Sequence, residues 1–298
     1  MNRESIKESI KSKTFFRDTI LYIFMKMGFY SNYTRGLISM DRTYFKLKKR
    51  YKKKVENFKI EEKEQKESNF IWICWLQGIE NAPELVKACY KSVKKWYPDN
   101  DIIVINKENF EKYVEIPEYI INKWKNGIIS NTHFSDILRV ALLTQHGGLW
   151  LDATVLCTKN SWNEIKENDI FVYRNGWMDM ECINMASWLI YSRSNNNILL
   201  LTRWLLYDYW RNNDYLINYF LLHMFFKMAT EKYLDDWNQV PYYSQIDNHM
   251  LAKELMNDFD EKRYNEIKRL TGFHKLTYKL KNEKKKNEMT FYDKIIEE

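Results

Sequence analysis

The stretch that decides the fold is residues 135–155, SDILRVALLTQHGGLWLDATV. Apolar residues from Ile137 to Leu143 cover more than one face of a helix, which predicts a largely buried helix. An apolar run with β-branched and aromatic members, Leu149 to Leu156, follows and predicts a core strand. The candidate residues that begin and end the helix are Thr132 or Ser135 as the N-cap and Gly147 or Gly148 as the left-handed residue at its end.

A carboxylate, Asp152, interrupts this apolar strand. Burying a carboxylate costs free energy unless it is paired or bound, and ligands of open α/β sheets collect at the carboxyl ends of strands. Asp136 and Arg139 lie one helical turn apart, and a carboxylate and a guanidinium beside Asp152 suit a polar, anionic ligand. The alternative is a local ion pair between Asp136 and Arg139, with Asp152 in a turn just past a shorter strand.

The pattern SDxLRxALLxxxGGLWLDAT in this stretch resembles the signature of the capsular polysaccharide synthesis protein family. These proteins are related to family 32 glycosyltransferases and, more remotely, to the glucosylating clostridial toxins. The resemblance implies a retaining enzyme with an α/β, GT-A-like fold and a nucleotide-sugar donor. Two positions depart from the family pattern: Thr154 replaces the second Asp of a DxD motif, and Asn218 stands where many relatives have an acid.

The resemblance also implies a set of site residues. Asp152, Asp136 and Arg139 would be catalytic. In the opening strand, IWICWLQG at residues 71–78, a family Trp lies against the nucleotide base. Trp75 matches by its position before Gly78, with Trp72 as the runner-up, and core packing is the alternative for both. The residues implied to bind the donor are Trp75, Asp136, Arg139, Gly148, Asp152, Trp188, His274 and Lys279.

The segment TGFHKLTYK at residues 271–279 resembles the family ending HKLTxK, which folds back over the donor diphosphate. His274 and Lys279, and after them Lys275, would oppose the charge of the leaving group. A frayed basic C-terminus is the alternative. For Trp188, which would lie near the donor sugar, the alternative is again a place in the core.

GT-A enzymes usually offset the diphosphate charge with a divalent cation bound by the second acid of DxD. Thr154 offers a neutral hydroxyl, a poorer ligand for a hard cation than a carboxylate. We expect Mn²⁺ or Mg²⁺ to be held by Asp152 with the diphosphate, while Thr154 orients a bound water. The alternative is that His274, Lys275 and Lys279 oppose the negative charge of the diphosphate, so that no metal is needed.

Strand, helix and strand follow one another at Phe70–Leu76, Glu84–Trp96 and Asp101–Ile105, which predicts a βαβ unit that opens a nucleotide-binding half. We divide the chain into an extension at 1–67, a GT-A-like domain at 68–282 and a charged tail at 283–298. The further elements expected are a helix at 117–124, strands at 169–173 and 184–191, a loop at 174–177, and helices at 195–208 and 216–230.

The N-terminal extension is predicted to be helical and basic. Residues 14–27 have near-helical apolar spacing, and residues 42–54, RTYFKLKKRYKKK, are rich in lysine and arginine and contain no acid. One interpretation is a helical extension packed on the enzyme with a charged outer face. The other is an amphipathic segment that rests on the anionic inner face of the cell membrane.

Composition narrows the class of protein. The chain is 45% hydrophobic and 16% aromatic, which is enough for a core and for stacking on sugars or bases. The net charge of +7 permits nucleic acid, an anionic membrane or anionic substrates, but no zinc-finger, RNP or KH motif occurs, so we expect no nucleic acid. The scattered cysteines predict buried thiols, and without a signal-peptide pattern or a long apolar run we expect a cytoplasmic protein.

We therefore expect a glycosyltransferase that moves a sugar from a nucleotide-sugar donor, a UDP-sugar, to a lipid-linked glycan in capsule or surface polysaccharide synthesis. The retaining outcome depends on the resemblance alone. A toxin-like protein glycosyltransferase would keep the site and change the acceptor. A membrane-associated scaffold with a decayed site would explain Thr154 and Asn218 as traces of lost activity.

Overall fold

The computed structural model describes residues 3–12, 14–61, 63–175, 182–280 and 289–298. The strands are β1 (Phe70–Cys74), β2 (Asp101–Ile105), β3 (Gly148–Asp152), β4 (Val155–Cys157), β5 (Ile170–Val172), β6 (Leu189–Ser192) and β7 (Phe273–Lys275). The helices are α1 (Arg3–Lys11), α2 (Phe15–Lys26), α3 (Asn32–Asn57), α4 (Glu84–Trp96), α5 (Glu118–Lys125), α6 (Asn131–His146), α7 (Trp162–Lys166), α8 (Asn197–Asn212), α9 (Leu221–Lys232), α10 (Leu234–Asn238), α11 (Met250–Glu254), α12 (Glu261–Leu270) and α13 (Phe291–Glu297).

The central sheet has the strand order β2-β1-β3-β6-β5. Strand β1 pairs in parallel with β2 and β3, whereas β6 is antiparallel to both β3 and β5, so that β6 alone among these five strands is reversed. The predicted βαβ unit is therefore present as β1-α4-β2. The predicted α/β fold class with a helical N-terminal extension is confirmed.

The sheet is buried on both faces. Alternation along β1 sends Trp72 to one face, under α6, α8 and α9, while Ile71 and Ile73 face the other side near α4. The near-continuous apolar sequence of β1 follows from burial of the sheet on both faces. The Trp72 indole donates to the carbonyl of Gly147 at 2.9 Å, which supports its interpretation as a core residue.

The topology creates a crevice at one edge of the sheet. From the carboxyl end of β1 the chain leads through α4 to β2 on one side, whereas β3 continues toward β5 and β6 on the other. Cys74, the last residue of β1, is in register with Asp152, the last residue of β3. Ligands of open α/β sheets bind where the connections of neighbouring strands diverge in this way. Asp152 thus lies at the end of the sheet where ligands of this type of fold bind.

Several predicted boundaries are corrected. Ser130 caps α6 by accepting from the backbone N–H of His133, so neither Thr132 nor Ser135 is the N-cap. The strand expected at 149–156 is two strands, because a turn at Ala153 and Thr154 separates β3 from β4. The predicted strand at 184–191 is shorter, since β6 begins at residue 189, and the helix predicted from 216 begins only at residue 221. Gly176 and Trp177 of the predicted 174–177 loop lie outside the described residues.

The N-terminal extension packs on the α/β domain. Helix α3 buries Tyr44, Leu47 and Tyr51, and the Tyr51 ring meets Phe225 of α9 at 5.2 Å between centroids. Helix α2 is tied to α3 by Arg17, which donates to Ser39 and Thr43 at 3.1 Å each. The interpretation of a helical extension with a charged outer face thus describes α3. Within the described residues, no helix is long and apolar enough to cross a bilayer.

The C-terminal helix α13 packs beside α4. Phe291 and Ile295 are buried in one cluster with Leu85 and Cys89 of α4. At least this part of the 283–298 segment therefore shares the core of the α/β domain. The four cysteines, all among the described residues, form no disulfide, in agreement with the predicted thiols.

Candidate active site

A cleft of about 450 Å³ opens at the carboxyl edge of β1 and β3. Its wall is formed by the ends of β1, β3 and β7 with the residues that follow them, by the first part of α6, and by Tyr219, which precedes α9. The residues that line it are Cys74, Trp75, Leu76, Gln77, Asn131, Thr132, Ser135, Arg139, Trp150, Asp152, Ala153, Thr154, Tyr219, Lys275, Leu276, Thr277, Tyr278 and Lys279. Its volume lies in the range of sites that enclose small organic ligands.

Arg139 links the two signature carboxylates across the sheet edge. Its Nη1 lies 3.2 Å from Oδ1 of Asp136, one turn earlier on α6, and its Nη2 donates to Oδ1 of Asp152 at 3.0 Å. The guanidinium also lies 4.9 Å from the centre of the Trp150 ring, and its side chain is only 5% exposed. Asp136, Arg139 and Asp152 therefore form one charge network. Asp136 contacts Arg139 on the side away from the cleft and does not line the cleft itself.

Asp152 is held as a carboxylate. Burial alone would raise its pKa, but Arg139 and Lys275, together with hydrogen bonds from the Trp150 indole and Lys275, lower the pKa below its usual value. The indole Nε1 of Trp150 donates to Oδ1 at 3.1 Å, and the Lys275 ammonium lies 3.5 Å from Oδ2. Asp152 therefore carries its negative charge at neutral pH and accepts hydrogen bonds.

The C-terminal segment returns to the site, as the family ending implied. Strand β7 pairs with β4, and the N–H of Leu276 donates to the carbonyl of Thr154 at 2.9 Å. This pairing places Lys275 beside Thr154, whose hydroxyl accepts from the ammonium at 2.5 Å. The described lining of the cleft contains three cations, Arg139, Lys275 and Lys279, and one carboxylate, Asp152. This excess of positive charge suits an anionic ligand.

Trp75 presents an aromatic wall directly after β1. It lines the cleft together with Tyr278, and the two rings meet edge to face with centroids 5.4 Å apart. Tyr278 is 39% exposed, so this pair is accessible from the solvent side of the cleft. Trp75 and Tyr278 provide a surface on which a planar ring can stack.

Besides Asp136, three residues implied to bind the donor lie outside the cleft. Gly148 begins β3, at the end of the strand remote from Asp152, and with φ of +96° a Cβ there would lie 2.5 Å from the carbonyl of Phe70. Close packing of β3 on β1 explains this glycine. Trp188 is buried, stacks on Tyr173 and donates to Gln245 at 3.0 Å. Only its backbone carbonyl, which accepts from the N–H of Asp152 at 2.8 Å, reaches the site.

His274 is the third residue outside the cleft. It is fully buried, and its Nε2 lies 3.0 Å from the Thr158 hydroxyl. Burial, with Lys268 nearby, lowers the pKa of His274 to about 4, so the ring is neutral at physiological pH and opposes no leaving-group charge. Alternation along β7 sends His274 and Lys275 to opposite sides, and Lys275 is the one that reaches the cleft.

Sequence reasoning missed other cleft residues. Trp150 could have been found from its position, since a strand places it on the same side as Asp152. Tyr219 projects into the cleft with 63% exposure, next to Asn218, whose side chain accepts from the N–H of Phe220 at 2.9 Å. Its sequence position carries no signal of its own, because the segment reaches the site only through tertiary packing.

The residues at the DxD positions do not fit a divalent cation. Both oxygens of Asp152 already face cations or the Trp150 indole, and Thr154 accepts from Lys275. Across the described ranges, no group of three or more His, Cys, Asp or Glu side chains is placed to hold a metal ion. Enzyme sites for such a cation usually supply one or two carboxylates beside substrate phosphates and water, and the one carboxylate at the DxD positions, Asp152, is already engaged by two cations.

Comparisons with known proteins agree with the resemblance. A family model described as "Capsular polysaccharide synthesis protein" matches residues 25–295. No curated protein matches the sequence. Among solved structures, "PaToxG Glycosyltransferase" is similar over 56% of this chain and 70% of that chain, with 18% identity and a TM-score of 0.41. A transferase mutant with two cysteine-to-serine substitutions is similar over 63% of this chain and 93% of that chain, with 13% identity and a TM-score of 0.34.

Proposed function

The chain belongs to the capsular polysaccharide synthesis protein family, and from this premise we propose that it is a glycosyltransferase that takes a nucleotide sugar into the cleft. The observation that carries the proposal is the composition of the cleft wall. An aromatic pair, a cluster of cations and an ionised carboxylate meet at the carboxyl edge of the sheet. These are the groups needed to bind a base, a diphosphate and a sugar.

The donor has a natural orientation in this cleft. The base, uracil in a UDP-sugar, stacks on Trp75 near Tyr278. The diphosphate lies toward Lys275 and Lys279, where its negative charge is opposed. The sugar lies toward Asp152, which accepts hydrogen bonds from its hydroxyls.

The transfer breaks the bond between the anomeric carbon and the diphosphate oxygen, and the electron pair stays on the diphosphate. The oxygen of the acceptor hydroxyl forms the new bond to the anomeric carbon, and its proton passes to the departing diphosphate. Asp152 is the carboxylate of the described cleft lining, and Arg139, Trp150 and Lys275 already engage it. These contacts argue against attack by Asp152 on the sugar and a covalent glycosyl-enzyme intermediate. Attack by the acceptor from the leaving-group side then gives the retaining outcome that the family resemblance implies.

The acceptor is a lipid-linked glycan at the inner face of the cell membrane. Helix α2 supports this proposal because it exposes an apolar stripe: Phe16 is 83% exposed, Ile20 54%, Ile23 49% and Met27 66%. These positions share one helix face, and exposed apolar faces of this kind mark membrane or partner contacts. Lysines on the outer face of α3 add attraction to anionic lipids. The protein therefore meets its acceptor as a peripheral membrane protein.

Isothermal titration calorimetry with UDP and a panel of UDP-sugars tests the proposed donor. Wild type should bind UDP, and Trp75→Ala should weaken binding about 5- to 150-fold, the equivalent of a stacking energy of roughly 1–3 kcal/mol. Trp75→Phe keeps a ring and should lose less. Trp96→Ala removes a half-buried tryptophan at the end of α4, away from the cleft, and serves as the matched control. Absence of binding to every nucleotide sugar, or Trp75→Ala with wild-type affinity, would contradict the proposal.

A further inference from the structure

The Lys275 ammonium lies between the two side chains at the DxD positions of the signature. Its nitrogen is 3.5 Å from Oδ2 of Asp152 and donates to the Thr154 hydroxyl at 2.5 Å. A DxD motif would present a second carboxylate here, whereas Thr154 presents a neutral acceptor. The chain itself therefore supplies a positive charge at the position that the family resemblance reserves for a metal ion.

The backbone fixes Lys275 in this position. Strand pairing sets Lys275 opposite Val155, and the next residue, Leu276, is bonded to the carbonyl of Thr154. The Lys275 side chain is 21% exposed, and it lines the cleft. The ammonium is thus preorganised and accessible to a ligand, which is the condition under which a fixed charge stabilises a transition state most effectively.

A divalent cation at this place would meet two cations and few ligands. Lys275 and Arg139 both lie on Asp152, the carboxylate that would have to hold the ion. Thr154 cannot add a charge, and its hydroxyl is already bonded to Lys275. Like charges in close contact repel, so binding of a metal requires that Lys275 be displaced.

From this disagreement we infer that Lys275 takes the place of the divalent cation, and that donor binding and transfer need no metal. The inference rests on the proposed function, because it concerns the diphosphate of a nucleotide sugar. As the anomeric C–O bond breaks and its electron pair moves onto the diphosphate oxygen, the ammonium stabilises that oxygen and keeps its own protons. The acceptor proton goes to the diphosphate, as in the transfer above, so that Lys275 acts by charge alone.

UDP binding without and with metal tests the inference directly. Calorimetry with wild type should give the same UDP affinity, within about twofold, in EDTA and in MnCl₂. Lys275→Gln in EDTA should weaken UDP binding at least about tenfold, because a charge-assisted contact is lost. Lys275→Arg keeps the charge and should retain part of the affinity. Lys91→Gln changes an exposed lysine of α4 outside the cleft and is the matched control.

A double variant tests whether metal dependence can be restored. Thr154→Asp combined with Lys275→Ala removes the ammonium and supplies the missing carboxylate beside Asp152. UDP binding to this variant should be weak in EDTA and should recover by at least about tenfold in MnCl₂. Where a nucleotide sugar supports transfer by wild type, the same reversal should appear in activity.

The outcomes separate the two hypotheses. If wild type binds no UDP in either buffer, the proposed donor fails and the inference falls with it. If wild type binds UDP in MnCl₂ but not in EDTA, the proposed function stands and the role of Lys275 is overturned. Wild-type UDP affinity of Lys275→Gln in EDTA would overturn it as well. Should Lys275→Gln fail to fold by circular dichroism, the wild-type comparison and Lys275→Arg decide the question.

Discussion

Arg139 offers the sharpest test of the charge network, because one side chain links both signature carboxylates. Arg139→Met keeps an unbranched chain of similar length and removes the guanidinium. The change leaves Asp136 without the cation 3.2 Å away and removes the 3.0 Å hydrogen bond to Asp152. Both carboxylates, Asp136 on α6 and Asp152 at the end of β3, then keep their negative charges with less positive charge nearby.

The structure sets the expected size of the loss. Removing one partner of a buried ion pair destabilises a protein by roughly 3–5 kcal/mol, because the other charge is left uncompensated. The Asp152 side chain is 28% exposed and keeps Lys275 at 3.5 Å, so the lower end applies. We expect a loss of about 3 kcal/mol in the free energy of unfolding. With an unfolding entropy of about 2.1 cal/mol/K per residue, this corresponds to a fall in Tm of about 5 °C for 298 residues.

Urea unfolding followed by circular dichroism measures this loss, and a double-mutant cycle assigns its cause. Asp136→Asn combined with Arg139→Met removes one of the two uncompensated charges, so it should be more stable than Arg139→Met alone. The coupling energy between the two positions should be at least about 1 kcal/mol. Arg42→Met, at an exposed arginine of α3, is the control and should change stability by less than about 0.5 kcal/mol. An Arg139→Met protein as stable as wild type, with zero coupling to Asp136, would refute the network as a stabilising unit.

Two further predictions concern regions outside the cleft. The pKa of His274 is lowered to about 4 by burial. Below the ordinary histidine pKa of about 6.5, the imidazole therefore binds a proton in the unfolded chain but stays neutral in the folded chain until the pH nears 4. Stability should therefore fall by up to about 3 kcal/mol as pH drops from 6.5 to 4, and His274→Gln should flatten this part of a urea-unfolding pH profile; an unchanged profile would contradict the assignment. Replacing Phe16, Ile20 and Met27 together by Ser should reduce sedimentation with phosphatidylglycerol vesicles at least about tenfold. Leu270→Ser, at an exposed apolar position of α12, should have no such effect. Vesicle binding by the triple variant equal to that of wild type would contradict the membrane role of α2.

Local patterns in the sequence were sufficient for much of the framework. Periodicity predicted α4 and β2 with their observed bounds, and the apolar run between Ile137 and Leu143 predicted a buried helix, because propensity and burial act along a short stretch of chain. Asp152 was also identified locally, since a carboxylate in an apolar strand stands out against its neighbours. The family match over residues 25–295 confirmed the resemblance that this stretch carries.

Tertiary structure alone decided which residues share the cleft. Lys275 lies more than a hundred positions after Asp152 and reaches it only because β7 pairs with β4 in one register; that register also turns His274 into the core. Trp188 and Gly148 are residue types that often bind ligands. Here Trp188 packs on Tyr173 and Gly148 packs against Phe70, so neither reaches the cleft. A side chain's role depends on the direction it points, and pairing between distant segments sets that direction, so no local pattern contains it.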